Sequence, residues 1–500
     1  MNTQPNSALK YSLALLATAA LGACTTVGPD FEKPTVAAPQ DWSDWRSGDE
    51  SLRIPVSDRD ILPADWWTSF NDPMLSGLID RAFTASPDLR TAAIHYAQAL
   101  VARGNADAGD LPQVNASGQV SRQRQSENGA ATRIAKGLGG NGSDLIELLG
   151  EPFTLYQGGL DLSWEIDLWG KVARSIEAAD ADLAYQAALL DLARLSIASN
   201  VAQEYFNLRA TQRKVAMTRA DIAALQERVD LLSARAKRGL ISQLEVQQQR
   251  SALQAMQTQL PQLLAQEAAL TNQLGLLLDA RPGELSDALH PPAASPDAAY
   301  PDLALGLPSE LALRRPDIRA AEARLHAATA RIGVAKADLY PSIRLGGSVG
   351  LESVGGSNLF ELASGTYGIG PSINLPLFDG GRRKRTVQLR ELDQKEAAIA
   401  FQQTVLKAWQ EIDDALNAYG AERRNNASLA ERVATTDDAW ELAEARYKGG
   451  LTSYLEVLDG QRSWLQARRD LIDSDNRLQT GFVKINAAIG NIPLHHPASS

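Results

Sequence analysis

Between residues 201 and 232 the apolar positions keep a seven-residue beat. Val201, Leu208, Val215, Ile222 and Val229 make one seam, and Leu225 and Leu232 add its neighbour. That period is the pattern of helices packing side by side as coiled coils. From Lys171 to Arg238 the chain has no Gly or Pro, which predicts a single helix of 68 residues, roughly 100 Å at 1.5 Å per residue. Residues 382–448 have the same texture, interrupted only by Gly420. No single globular core needs helices of that length.

A second period, of two residues, runs through Leu160-Asp-Leu-Ser-Trp-Glu-Ile-Asp-Leu168 and predicts a strand. Extended pairs are expected at 114–124 with 153–168, and at 342–353 with 366–378. Ahead of them, residues 25–64 are Pro-rich, acidic and aperiodic, and read as an extended strap. Asp65-Trp66-Trp67 then leads into a short helix carrying Leu75, Leu78 and Ile79, its aromatics read as a docking patch.

The elements occur twice. Shifting the chain by 229 residues lays Pro87-Asp-Leu-Arg90 on Pro316-Asp-Ile-Arg319, Gly104 on Gly333 and Pro112 on Pro341; a shift of 211 lays Gly170 on Gly381 and Gly239 on Gly450. The 18-residue difference places a longer loop in the first copy, between about 121 and 160. Each copy closes on one corner: Gly239-Leu-Ile-Ser-Gln-Leu-Glu-Val246, and Gly450-Leu-Thr-Ser-Tyr-Leu-Glu-Val457. Gly239 and Gly450 suit the left-handed conformation that ends a helix, while Ser242 with Glu245, and Ser453 with Glu456, suit the capping box that starts the next. Pro261 lies inside the helical run after the first corner and predicts a kink that the second copy lacks.

Four strands cannot close a barrel or hide their own edges, whereas several chains contributing four each do both. A symmetric homo-oligomer is the economical solution, with the helices continuing as a cylinder. The net charge of -11 argues against a nucleic-acid partner. The single cysteine, Cys24, rules out disulfides and Cys-based metal sites. His95, His290, His326, His495 and His496 are scattered without metal-ligand spacing, so no catalytic centre, metal or cofactor is expected. Gly137-Leu-Gly-Gly-Asn-Gly142 matches a dinucleotide-binding pattern by letters, but no helix follows it, so it reads as a loop.

Cys24 matters for its position. Residues 1–24 combine Lys10, an apolar run from Tyr11 to Leu21, and Leu21-Gly-Ala-Cys24, a secretory signal too short to span a bilayer. The ending resembles a lipoprotein signal, in which Cys24 is acylated and tethers the chain to a membrane. The alternative is an ordinary signal peptide with a chance cysteine. Thr25, rather than Asp, fits outer-membrane sorting.

Taken together, Cys24-Thr-Thr-Val-Gly-Pro-Asp-Phe31, Trp66-Trp67 with Asp72-Pro73, the Pro-Asp-Leu/Ile-Arg repeat, Trp164-Glu-Ile-Asp-Leu-Trp-Gly170, Leu377-Phe-Asp-Gly-Gly-Arg382 and Arg446-Tyr-Lys-Gly-Gly-Leu451 resemble the TolC family of outer-membrane efflux channels, in its lipoprotein branch typified by the NodT and OprM groups. The resemblance covers nearly the whole mature chain. It implies a mixed α and β membrane protein: a homotrimer whose chains each give four strands to a 12-stranded β-barrel and continue as a long helical barrel.

The implied function is the outer-membrane duct of a tripartite RND-type pump, with a periplasmic adaptor, an inner-membrane transporter and outer-membrane lipid as partners. Gly239, Leu240, Ser242, Gly450, Leu451 and Ser453 match the adaptor-facing tip. Leu455 and Asp459 match an apolar and an acidic ring that close the pore, Tyr447 matches a tip tyrosine that helps hold some members shut, and Glu245 and Glu456 are further pore-gate candidates beside them. Plain readings stand next to these: helix capping for the Gly, Ser and Glu positions, corner core for Leu455, a solvated face for Asp459. Trp164 and Trp169 suit an interfacial belt or packing at the barrel base. A type I secretion duct and a non-conducting periplasmic scaffold are the alternative functions.

The expected organisation is a signal at 1–23, a strap at 24–64, a first repeat at 65–281, a linker at 282–308, a second repeat at 309–492 and a tail at 493–500.

Overall fold

A computed structural model of the chain describes residues 26–35, 39, 46–53, 63–127, 129, 150–290 and 314–493. Cys24, the loop at 137–142, most of the expected linker and nearly all of the tail lie outside them. In chain order the described helices are α1 (Pro73–Ala85), α2 (Pro87–Asp107), α3 (Lys171–Lys237), α4 (Gln243–Leu277), α5 (Pro316–Ala337), α6 (Arg382–Lys448) and α7 (Tyr454–Ala488). The strands are β1 (Gln113–Gln123), β2 (Phe153–Ile166), β3 (Ser342–Ser353) and β4 (Gly365–Asn374). β4 stops short of the expected 378, just ahead of Pro376, which has no N–H to give a ladder. α4 runs through Pro261 without interruption and matches α7 in length, 35 residues each. The proline sits inside the helix without ending it.

The strands form one antiparallel sheet in chain order, β1-β2-β3-β4, so the first and last strands keep free edges. Its register sorts the side chains cleanly. One face carries rows such as Val114, Leu162, Gly347 and Ile369, or Ala116, Leu160, Val349 and Tyr367. Trp164, Leu345 and Pro371 extend this apolar face toward the helices, and Trp164 donates its indole N–H to the Asp110 carbonyl at 3.0 Å. The opposite face is polar, and its side chains pair across strands: Arg344 with Glu165 at 2.9 Å, and the Gln157 amide donating to Glu352 at 2.8 Å. A sheet with lipid on one side and water on the other has this alternation. Among the described residues, no helix is long and apolar enough to cross a membrane.

The chain divides into two units that cut across the repeats, each taking part of both. The first holds the sheet, α5 from Arg324 onward and residues 26–32. Here the start of the strap is clasped rather than loose. Val27 donates its N–H to the Trp169 carbonyl at 3.0 Å, and Arg174, almost wholly buried, meets Asp30 at 2.5 Å and Glu177 at 2.7 Å. Phe31 stacks on His326 with ring centroids 4.2 Å apart, and His326 Nε2 lies 2.9 Å from Glu177. Trp169 stacks on Tyr340 at 4.7 Å and donates to the Pro341 carbonyl, so this tryptophan packs against its own chain.

In the second unit, Trp66 and Trp67 prove to be core. They pack with Leu75, Ile79, Tyr205, Leu208, Leu274, Leu416 and Phe482 in the largest apolar cluster, which also takes the seam residues Val201 and Leu208. The expected docking patch docks inside the chain. Leu225 and Val229 continue the seam in a separate cluster with Leu253, against which the half-buried Ile222 packs.

Candidate functional site: the duplicated corner

Both corners end their first helix as their glycines predict. Gly239 and Gly450 each take φ of 72°, and the next residue bonds back to an arginine carbonyl, Leu240 to Arg235 at 3.1 Å and Leu451 to Arg446 at 2.9 Å. A side chain at either φ-positive position would be strained. The restarts differ. Ser242 accepts from the Leu244 N–H at 3.1 Å, whereas the Ser453 side chain makes no capping bond.

The capping boxes therefore do not form as expected. Glu245 accepts instead from the Tyr447 hydroxyl, at the end of α6, so its carboxylate joins one corner to the other. A tyrosine ring fixed by packing reaches that carboxylate more readily than the carboxylate folds back on its own helix. Tyr447 also meets Tyr454 edge to face at 5.1 Å, and the Tyr454 hydroxyl donates to Gln249 Oε1 at 2.7 Å. Two tyrosines of the second repeat thus grip two acceptors of the first. Burial, then the bond to Glu245, pushes the Tyr447 phenol up to about 12; burial is likewise the largest cause of the rise of Tyr454 to about 12.

Beneath this grip lies a small core of Leu232, Val246, Tyr454, Val457 and Leu458. Leu455 is not part of it: it is 51% exposed, as are Leu240 (67%), Leu244 (64%) and Leu451 (74%). Asp459 lies one turn beyond Leu455 on the same face of α7. It too is exposed, with Arg462 4.0 Å away as a loose i,i+3 partner. Glu456 is exposed and Glu245 half-buried. The structure thus brings Glu245 and Tyr447 together and leaves Leu455, Glu456 and Asp459 unpaired with the first corner. Gln249 and Tyr454 were missed by sequence reasoning; Tyr454, beside Ser453 in the duplicated motif where the first copy has Gln243, was the available signal. Among the described residues, no group of three His, Cys, Asp or Glu is placed to hold a metal.

Residues 78–278 and 307–491 match the family described as outer membrane efflux protein, one segment for each repeat. The chain is 30% identical to the outer membrane protein OprJ of Pseudomonas aeruginosa over 95% of both chains, and 33% identical to the pyoverdine export outer membrane protein OpmQ of Pseudomonas putida over 96% of this chain and 95% of the relative. Among solved structures, the outer-membrane channel OprN superposes with a TM-score of 0.83 at 28% identity, covering 93% of this chain and 99% of that one. Family members act in tripartite efflux with an adaptor and an inner-membrane transporter, and form trimers. The chain belongs to the outer membrane efflux protein family: it is an outer-membrane efflux channel component that extends into the periplasm.

Proposed function

We propose that the chain forms, as a homotrimer, the passive exit duct of an RND-type pump for small molecules, and that the duplicated corner is its periplasmic lock. Three copies of a four-stranded sheet with free edges make the twelve strands of a closed barrel, its apolar face to lipid and its polar face to the lumen. Acylated Cys24 adds a second hold on the outer membrane. Exposed Leu240, Leu244 and Leu451 at the corners give the adaptor an apolar surface to engage. Leu455 and Asp459, exposed on one face of α7, ring the axis. There the three carboxylates repel one another and favour cations. The observation that carries the lock is the Tyr447–Glu245 bond, which ties α6 to α4 across the two repeats.

Tyr447 supplies the proton in that bond, so its raised phenol keeps the lock intact below pH 10 and releases it as pH climbs toward 12. Single-channel recording of purified trimer in planar bilayers reads this directly. The wild type should conduct poorly at neutral pH and open as the pH rises through that window. Tyr447→Phe, which keeps the ring and loses the donor, should already conduct at neutral pH. A Tyr447→Phe channel as closed as the wild type would remove the tyrosine from the lock.

A further inference from the structure

Between the large core around Phe482 and the small core of the corner, the buried face of α3 turns polar at Thr211, Gln212, Thr218 and Asp221. Thr218 Oγ1 and one Asp221 oxygen are buried without a partner. Charges pair across helices along the same stretch. Lys214 meets Asp473, Arg213 lies 3.3 Å from Asp475, Asp221 lies 3.2 Å from Arg468, and Arg228 lies 2.8 Å from Glu444. An aromatic stack links the last two pairs: Arg468 covers Trp464 at 4.4 Å, Trp464 stacks on Trp440 at 4.8 Å, and Arg228 lies over Trp440 at 5.4 Å.

On α3 the paired charges at 214, 221 and 228 fall one heptad apart and read plus, minus, plus. We propose that this alternating ladder is a register key: Lys214, Asp221 and Arg228 are positioning residues that block a one-heptad slide between α3 and the α6–α7 pair, so that the corner contacts meet and opening proceeds by splaying rather than sliding.

The competing registers show why the alternation matters. Apolar residues that recur every seven places fit nearly as well after a seven-residue slip, so the seam alone leaves axial position open. The two helices run antiparallel, α7 partners falling from 475 to 468 as α3 numbers rise from 213 to 221. A heptad slip one way brings Lys214 beside Arg468. The opposite slip sets Asp221 against Asp473 and Arg228 against Arg468. Each alternative puts like charges together in a part-buried seam, where they repel more than they would in open water. Burial raises the Asp221 carboxyl despite Arg468 and Arg469 beside it, so the pair adds little net stability in the native register. Its effect is to penalise the wrong ones.

The functional consequence rests on the proposed lock, but the register does not, and one experiment separates them. Asn207 and Asn476 are hydrogen bonded at 2.8 Å, so an Asn207→Cys, Asn476→Cys pair in full-length trimer reports the native register by oxidative cross-linking. Reversing one charge, Asp221→Arg or Arg468→Asp, should cut that cross-link several-fold, and the two reversals together should restore it. The slip that joins Lys214 to Arg468 also brings residue 200 to residue 476. With the ladder neutralised by Asp221→Asn and Arg468→Gln, which introduce no repulsion, an Asn200→Cys, Asn476→Cys pair should begin to cross-link. Unchanged native cross-linking in the single reversals, failure of the double reversal to recover it, or no slipped cross-link in the neutralised protein would overturn the key. A register shift with unchanged conductance would instead fault the lock and leave the key standing.

Discussion

Trp66→Ala should cost about 3–5 kcal/mol, the range for removing a large aromatic from a packed core, and appear as a lower thermal midpoint of the helical signal and less assembled protein. Trp66 is fully buried, edge to face with Trp67 at 5.6 Å and 6.4 Å from Phe482. It therefore holds the N-terminal elements to α7, and its loss leaves a cavity that helices fixed at both ends cannot collapse to fill. Its indole N–H has no partner, and an unmade hydrogen bond of that kind costs about 1–3 kcal/mol. Trp66→Phe gives up volume but also removes that orphan, so it should be clearly milder than Trp66→Ala. Equal losses for the two would mean that the N–H is satisfied and the packing account incomplete.

The clasp at the start of the strap gives the second large effect, with a control supplied by the duplication. Gly28 has φ of 108°, and a methyl there would lie 2.5 Å from the Gly333 Cα; one on Gly333 would lie 2.7 Å from the Arg174 side chain and 2.9 Å from the Val27 carbonyl. Neither neighbour yields easily, because one is backbone and the other is held by Asp30 and Glu177. Gly28→Ala and Gly333→Ala should each detach residues 26–32, seen as new protease sensitivity there and a lower unfolding midpoint. Gly104, the repeat counterpart of Gly333, has nothing within 4 Å of its added methyl. Gly104→Ala should raise stability by about 0.5–1 kcal/mol, the ordinary gain of replacing glycine inside a helix. If Gly333→Ala proves as harmless as Gly104→Ala, the clasp does not hold the strap.

These sites also mark the limit of what the chain reveals unaided. The long helices, strands and glycine corners were legible because each follows from neighbours in sequence: a heptad, an alternation, a residue that tolerates positive φ. Gly104 and Gly333 are the same letter at the same place in the repeat, and only Arg174 and the strap, both packed on one of them, make them differ. Glu245 likewise fits a capping box locally. Its partner Tyr447 lies 202 residues away, and that long-range bond wins. Trp66 and Trp67 read as a docking patch because the surface that receives them, around Phe482, comes from the opposite end of the chain. Local rules placed the elements, and contacts distant in sequence decided what the side chains do.

In the proposed lock, α7 carries the constriction. Conductance of the Leu455→Ala, Asp459→Ala double variant beside the wild type tests it most directly, because both side chains are exposed and their removal leaves the corner core of Leu232, Val246 and Val457 untouched. The wild-type channel should be mostly closed, and the double variant should conduct more and select less for cations. A double variant as closed and as cation-selective as the wild type, with trimer yield unchanged, would contradict it.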